Sequence, residues 1–564
     1  MSMRIWAKNN QSWVTLVISA ASLLVATVAL VPGFRSAFKG AEPTQDVDDN
    51  SGIVVGPGAT TGDITQGGGL TPQQEAKVDR ILKAVEAKNP AAFAELEQTA
   101  PQSLQALREA VAVAVQEDMG AAEAALERGD TKVAAAMFRR ILEREKASGR
   151  EANKRAAAAA RHIGALAFLH DTEAALRAYR EATELDSESL DGWIQLGHLL
   201  RRVGQLSESE ATYQHVLELA GHDSSWQSIA LSGLGRIHRT RGELDEAEIL
   251  HKRALALNEK LGRKDGMATD LGRLGVIYWT RGELDEAEAL HKRALALNEE
   301  LGSKDGMATD LGRMGVIYWT RGELDEAEAL YKGALALNEQ QGREEGMAKE
   351  LGNLGLIYWR RGELAKAEAH HKRALTLDEE LGRKEGMAAD LGNLGLIYNT
   401  RGELAKAEEH QARALALHEE LGSKEGMAGN LGNLGLIYRR RGELAKAEEH
   451  YKRALALNEE LGSKEGMAIQ LGNLGVIYWR RGELAKAEEH YKRALALDEE
   501  LGRKEGMAIQ LANLGALYKQ RGQHLQARTA WLQALRLYKE VGIAKWASWT
   551  QDRLDELAAE DVAR

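Results

Sequence analysis

Cysteine is absent from this 564-residue chain, which excludes disulfides, thiolate metal centres and cysteine nucleophiles and fits either a reducing or an oxidising compartment. Proline is almost absent: all six prolines (Pro32, Pro43, Pro57, Pro72, Pro90 and Pro101) precede Gln102, so no proline interrupts the last 463 residues. Aromatics are only 5% of the chain, and a strong charge of one sign is missing too. The net charge of −11 is spread thinly: residues 271–310 hold 5 basic and 8 acidic side chains, whereas 471–510 balance to zero. A chain without a basic patch is not built for nonspecific nucleic-acid binding, so none is expected among its partners. Ala, Leu, Glu, Lys and Arg fill the space left by these absences, and they are the strong helix formers.

From Leu231 to about Thr550 a 40-residue unit recurs in phase eight times, reading close to LGNLGLIYWRRGELAKAEEHYKRALALNEELGSKEGMA. A fixed period of this length marks a solenoid, in which each unit contacts its neighbours and the array offers one long surface rather than one pocket. Its ladder of Gly242, Ala247, His251 and Ala254 is traceable backwards in Gly204, Ser209, Tyr213 and Val216. Two earlier copies are His170, Ala175, Tyr179 and Ala182, then Gly129, Ala134, Phe138 and Ile141. The expectation is eleven units, divergent over 118–230 and regular over 231–550, with residues 551–564 closing a capping helix whose Trp546, Trp549, Leu554 and Leu557 cover the last core face.

The N-terminal region is organised differently. After a flank at 1–12, residues 13–31 form an uncharged run that as a helix spans roughly 28 Å, close to a bilayer core. It is expected to be a single-pass membrane anchor held by the lipid bilayer. The rival reading is a cleaved signal peptide with Thr27-Val28-Ala29 as its cleavage site. The charges of Arg4, Lys8 and the amino terminus against Arg35 and Lys39 lean to the N-terminus inside and the solenoid outside. Residues 32–70 are rich in Gly, Pro and Asp and read as a flexible tether, reaching on the order of 30–35 Å. In the helical lead-in over 71–117, Thr71-Pro72 and Asn89-Pro90 each supply an N-cap followed by proline at the first helical position.

Each regular unit predicts two antiparallel helices, from about Gly266 to Thr280 and Glu283 to Leu301, joined at Arg281-Gly282 and closed by Gly302. Gly275, Ala287 and Ala294 let the axes approach, while Leu271, Leu274 and Ile277 fill the core. The once-per-unit methionine, such as Met267, reads as packing.

Leu271, Leu274, Gly275, Tyr278, Ala287, His291 and Ala294 together resemble the tetratricopeptide repeat family, and the match recurs over roughly 118–550. The usual 34-residue form has a proline after its second helix. This chain has Glu299 there and continues to Gly302, so its helices are longer, a 40-residue form similar to that of kinesin light chains and Pins-type G-protein-signalling modulators. The resemblance implies an all-α, right-handed superhelical solenoid of antiparallel helix pairs that binds other proteins in a concave groove and is not an enzyme.

Comparing units within the chain separates scaffold from surface. Variation concentrates on a stripe of the first helix: Arg273, Arg313, Asn353, Asn393, Asn433, Asn473 and Asn513 at one position, with Arg360, Arg440 and Arg480 among the residues one turn or two later. In the family this stripe lines the groove. An asparagine amide both donates to and accepts from an extended peptide backbone, and arginines hold carboxylates, so the expected ligand is an extended, acidic segment of another protein. The competing reading is that these polar residues solvate a helix face or bond along the solenoid. A different class altogether is a spacer or self-assembling element with an empty groove.

Other chemistry finds little purchase. His370, His410, His450 and His490 recur at a spacing of roughly 10 Å, too far for ligands of one metal, and read as a solvated face. His418-Glu419-Glu420 lacks a second zincin histidine, Gly302-Ser303-Lys304 is not a P-loop, and no Ser-His-Asp set stands outside the repeats. No cofactor is expected.

Overall fold

A computed structural model of the chain describes residues 72–89, 93, 105, 107–112, 120–145 and 150–563. The expected span at 13–31 and the tether at 32–70 lie outside them. Among the described residues no helix is long and apolar enough to cross a membrane, and every regular element is a helix.

Among the described residues, after Pro72–Lys88 the helices come in eleven successive pairs, from Gly120–Glu127 and Thr131–Glu145 through to Lys504–Gln520 and His524–Glu540, with Ala544–Ala563 last. In the pair Lys264–Arg281 and Leu284–Leu301, Gly275 lies against His291, one before and one after the turn glycine Gly282, so the two helices run antiparallel. The fold is an all-α helical repeat solenoid. It divides into two compact bodies, one ending at Ile357 and one beginning at Tyr358, apart from Glu380–Gly382, which group with the first.

Helix ends follow local chemistry. Gly282 and Gly302 stop their helices at φ 83° and 67°, with nothing within 4 Å of where a Cβ would stand, so the glycine answers to the left-handed backbone and not to crowding. First helices begin two residues earlier than the glycine at 266 suggests. Ser303, Ser423 and Ser463 each accept the N–H of the glycine three residues on, which puts that glycine inside the first turn.

Close approach is needed at another glycine. A Cβ on Gly435 would stand 2.6 Å from Cε1 of the fully buried Tyr451, so only glycine lets that ring lie flat on the neighbouring helix. Ala287 and Ala294 and their counterparts are likewise fully buried. In the divergent pairs Phe138 and Tyr179 fill the ladder position that Tyr451 holds in a regular unit, and Phe168 adds to the same core. The last helix covers the end of the array: Trp546 stacks on Tyr538 at 6.3 Å, Leu557 is buried, and Lys519 reaches Glu560 at 2.9 Å.

Candidate functional site

First helices are buried over most of their surface; the positions equivalent to 269 and 273 are half-buried in most units, the 280 position is exposed in every regular unit, and the 276 position is buried at Leu356, Leu396, Leu436 and Val476. In the body ending at Ile357, Arg273 is buried and donates to Ser232 Oγ of the preceding pair at 2.7 Å. Arg313 is half-buried, its guanidinium over Gly272 of the pair before. Asn353 is half-buried and donates to Glu350 at 3.1 Å. In the body beginning at Tyr358, Asn393, Asn433, Asn473 and Asn513 are all half-buried, and Asn433 lies 3.4 Å from Gln411 Oε1. Arg360, Arg440 and Arg480 are exposed at the ends of their helices. Arg440 also reaches back to Asn399 Oδ1 at 2.6 Å. Part of the stripe therefore bonds along the solenoid, and the asparagines keep an open edge.

One turn before this stripe runs a set of polar residues that the comparison of units passed over: Asp270, Asp310, Glu350, Asp390, Asn430, Gln470 and Gln510, every one buried. Asp270, Asp310, Asp390 and Asn430 are each held by the second helix of the preceding pair. His291 Nδ1 and Asn298 Nδ2 meet the two oxygens of Asp310 at 3.1 and 2.9 Å, His371 meets Asp390 at 2.8 Å, and Asn430 donates to Gln411 at 2.7 Å. Burial pushes the carboxyls of Glu350 and Asp390 up, the latter partly offset by His371. The signal was present in the sequence, since a polar residue recurs at this position in every regular unit, and its partner 19 residues earlier changes with it: His with Asp, Gln with Asn, Tyr with the longer Glu or Gln.

A second interlock uses residues that hardly vary. Tyr278 and Arg281 both bond Glu248 of the preceding pair, the tyrosine at 2.7 Å. The same triad recurs as Tyr318, Arg321 and Glu288, and as Tyr478, Arg481 and Glu448 at 2.8 and 2.5 Å. Burial alone would raise the Glu288 carboxyl, but bonds from Lys292, Tyr318 and Arg321 outweigh it and hold the group at about 2. His410 lies on the Tyr398 ring at 4.9 Å with Nδ1 turned to the Lys406 carbonyl at 2.8 Å, and His450 and His490 repeat the arrangement. Their role is packing on a tyrosine. Among the described residues no group of three or more potential ligands stands close enough to hold a metal.

The polar stripe, the antiparallel pairs and their interlocks define a repeat whose sequence profile is known. The profile of the tetratricopeptide repeat matches residues 189–260, 267–340, 347–420 and 426–500, and a second profile of the same repeat matches 508–541, more than half of the chain. The chain belongs to the tetratricopeptide repeat family. No match is found among curated proteins. Among solved structures, this tetratricopeptide repeat chain is similar to BtubC (BKLC) from P. vanneervenii, at 24% identity over 39% of this chain and 92% of that one, with a TM-score of 0.35. It is similar to the apo form of RapI at 15% identity, 49% and 99% coverage and a TM-score of 0.42. The apo quorum sensor NprR from B. thuringiensis aligns at 14% identity, 58% and 94% coverage and a TM-score of 0.47. Membership of the family rests on the repeat match and not on these likenesses.

Proposed function

We propose that this tetratricopeptide repeat protein is a non-catalytic scaffold that holds extended, acidic segments of other proteins along the first-helix stripe, in a concave groove, close to a membrane. The observation that carries the reading is the half-buried asparagine repeated at one position of four successive units, Asn393, Asn433, Asn473 and Asn513, among neighbours that are buried. An amide at each step matches the donor–acceptor alternation of an extended backbone, so affinity accumulates with the number of units engaged. The uncharged run at 13–31 supplies the membrane tether in this reading, with the N-terminus inside and the solenoid outside.

A spacer or self-associating solenoid is favoured by a different observation, the bonds of Arg273 to Ser232 and of Asn433 to Gln411, which spend stripe residues on joining units to each other. Affinity capture from native extract separates the two. The full chain is compared with a variant carrying Asn353, Asn393, Asn433 and Asn473 all changed to Ala. Partners retained by the natural chain and lost from the variant support the groove. Equal retention by both overturns it, and recovery of the chain alone, with mass growing in light scattering as concentration rises, supports the spacer.

A further inference from the structure

The exposed end of the stripe obeys a register rule. At two steps the last-turn residue at the 280 position meets the 279 position of the unit before, 41 residues back. Arg440 donates to Asn399 Oδ1 at 2.6 Å, and Gln520 Oε1 accepts from the Trp479 indole N–H. In both cases a donor meets an acceptor. Between these two steps the same 41-residue spacing pairs Arg480 with Arg439, whose charge acts on it, a donor against a donor.

Neither side chain has an acid to answer it. Arg439 is only 6% exposed, and its Nε has no hydrogen-bond partner. The guanidinium lies beside the buried Tyr451 hydroxyl, and the other groups acting on Arg480 are Arg439, Tyr451 and Tyr491, with no carboxylate among them. Burial, and then the charge of Arg439, lower the basicity of both Arg440 and Arg480. The arginines one residue further on differ sharply, since Arg441 and Arg481 each bond a glutamate of the preceding unit. A buried guanidinium without a counter-charge is costly, and one facing a second guanidinium more so.

We propose that Arg439 and Arg480, flanked by Arg440, form an oxyanion site that takes a phosphoryl group. A phosphoryl group brings about two negative charges and three acceptor oxygens, enough to answer two guanidinium forks at once, where a carboxylate brings a single charge. The Tyr451 hydroxyl, its ionisation suppressed by burial, stands ready as a further neutral donor. The site goes beyond the peptide-binding reading and does not depend on it, because an inorganic ion tests it directly.

The test is calorimetric titration of the full chain with inorganic phosphate, and separately with acetate, at matched ionic strength in chloride. The expected result is saturable binding of phosphate that falls at least tenfold in Arg480→Gln, a substitution at an exposed residue without a structural bond, and is kept in Arg360→Gln, which has a tryptophan, Trp319, and not an arginine 41 residues before it. Arg439→Gln, at the buried member, is expected to abolish binding, with thermal unfolding as the check that the variant folds. Phosphate binding that is absent, or equal in the natural chain and Arg480→Gln, overturns the site. Acetate binding as tightly as phosphate overturns the choice of a phosphoryl group. Loss of phosphate binding with partner capture intact refutes this site alone.

Discussion

Replacing Asp498 by asparagine is expected to stabilise the protein at neutral pH, against the intuition that removing an ion pair weakens a fold. Asp498 is 1% exposed, and Arg503 stands 3.0 Å from its Oδ1. Burial nevertheless outweighs the arginine and raises the carboxyl to about 6, against 3.8 for an unhindered aspartate. The folded chain thus holds the proton more tightly than the unfolded one. Stability from this group is greatest below pH 3.8 and is lost as pH rises through about 6, so at pH 7 the site carries a net cost. Two pH units correspond to about 3 kcal/mol. That figure is already net of the attraction of Arg503 for the carboxylate, and an asparagine oxygen can still accept from Arg503, so the expected gain is about 1–3 kcal/mol. Asparagine has precedent at this position, since Asn258, Asn298, Asn338 and Asn458 occupy it in other units, and Arg503 keeps Glu465 at 3.1 Å. The assay is urea unfolding of the full chain at pH 7 and at pH 4, read by fluorescence of Trp531, which is buried in the same terminal core. Asp498→Asn should raise the midpoint at pH 7, with the difference shrinking towards zero at pH 4. A variant less stable than the natural chain at pH 7, or a difference independent of pH, would refute the reasoning.

Three further outcomes are expected. Glu288→Gln should lower stability at pH 7 by about 1–3 kcal/mol, because the charge-assisted bonds to Lys292, Tyr318 and Arg321 are lost or weakened. With a folded value of about 2, the natural glutamate contributes above pH 4.5 and loses that contribution as pH falls towards 2, so the acid limb of a stability-versus-pH curve should flatten in the variant. Gly435→Ala should cost about 1–3 kcal/mol by driving a methyl into the Tyr451 ring, measured as a shift in the urea midpoint. Asp390→Ala leaves the buried His371 without its partner at a cost of about 1–3 kcal/mol. The double variant His371→Gln with Asp390→Asn, which copies the Gln411 and Asn430 couple of the next unit, should recover most of that loss in the same assay.

The helix pairs and the family were legible in the sequence because they are written once per unit: Leu271, Gly275, Tyr278, Ala287 and Ala294 recur with a period no local feature mimics. The glycine stops at Gly282 and Gly302 were legible for the same reason. Harder to read was what joins one unit to the next. The couples of Asp310 with His291 and of Asn430 with Gln411 link residues 19 apart that belong to different helices and different units, and their polarity suggests surface when read singly. Only covariation between the two positions betrays burial. The start of the first helix was misplaced by two residues because the glycine at 306, 426 or 466 reads as a break, whereas it is a site of close approach whose N–H the serine three residues before it caps. At the stripe, residue type was readable and the share of each side chain given to its neighbours was not, since Arg273 and Asn393 occupy the same register and only the first is buried.

The central claim, that partners lie along the first-helix stripe, is tested most directly by placing a photo-reactive residue at position 393 in one version of the full chain and at position 452, on the exposed face of a second helix, in another. Irradiation in native extract followed by mass spectrometry should give adducts with other proteins at 393 and none above background at 452. Adducts at 452 alone, or at neither position, would contradict the account.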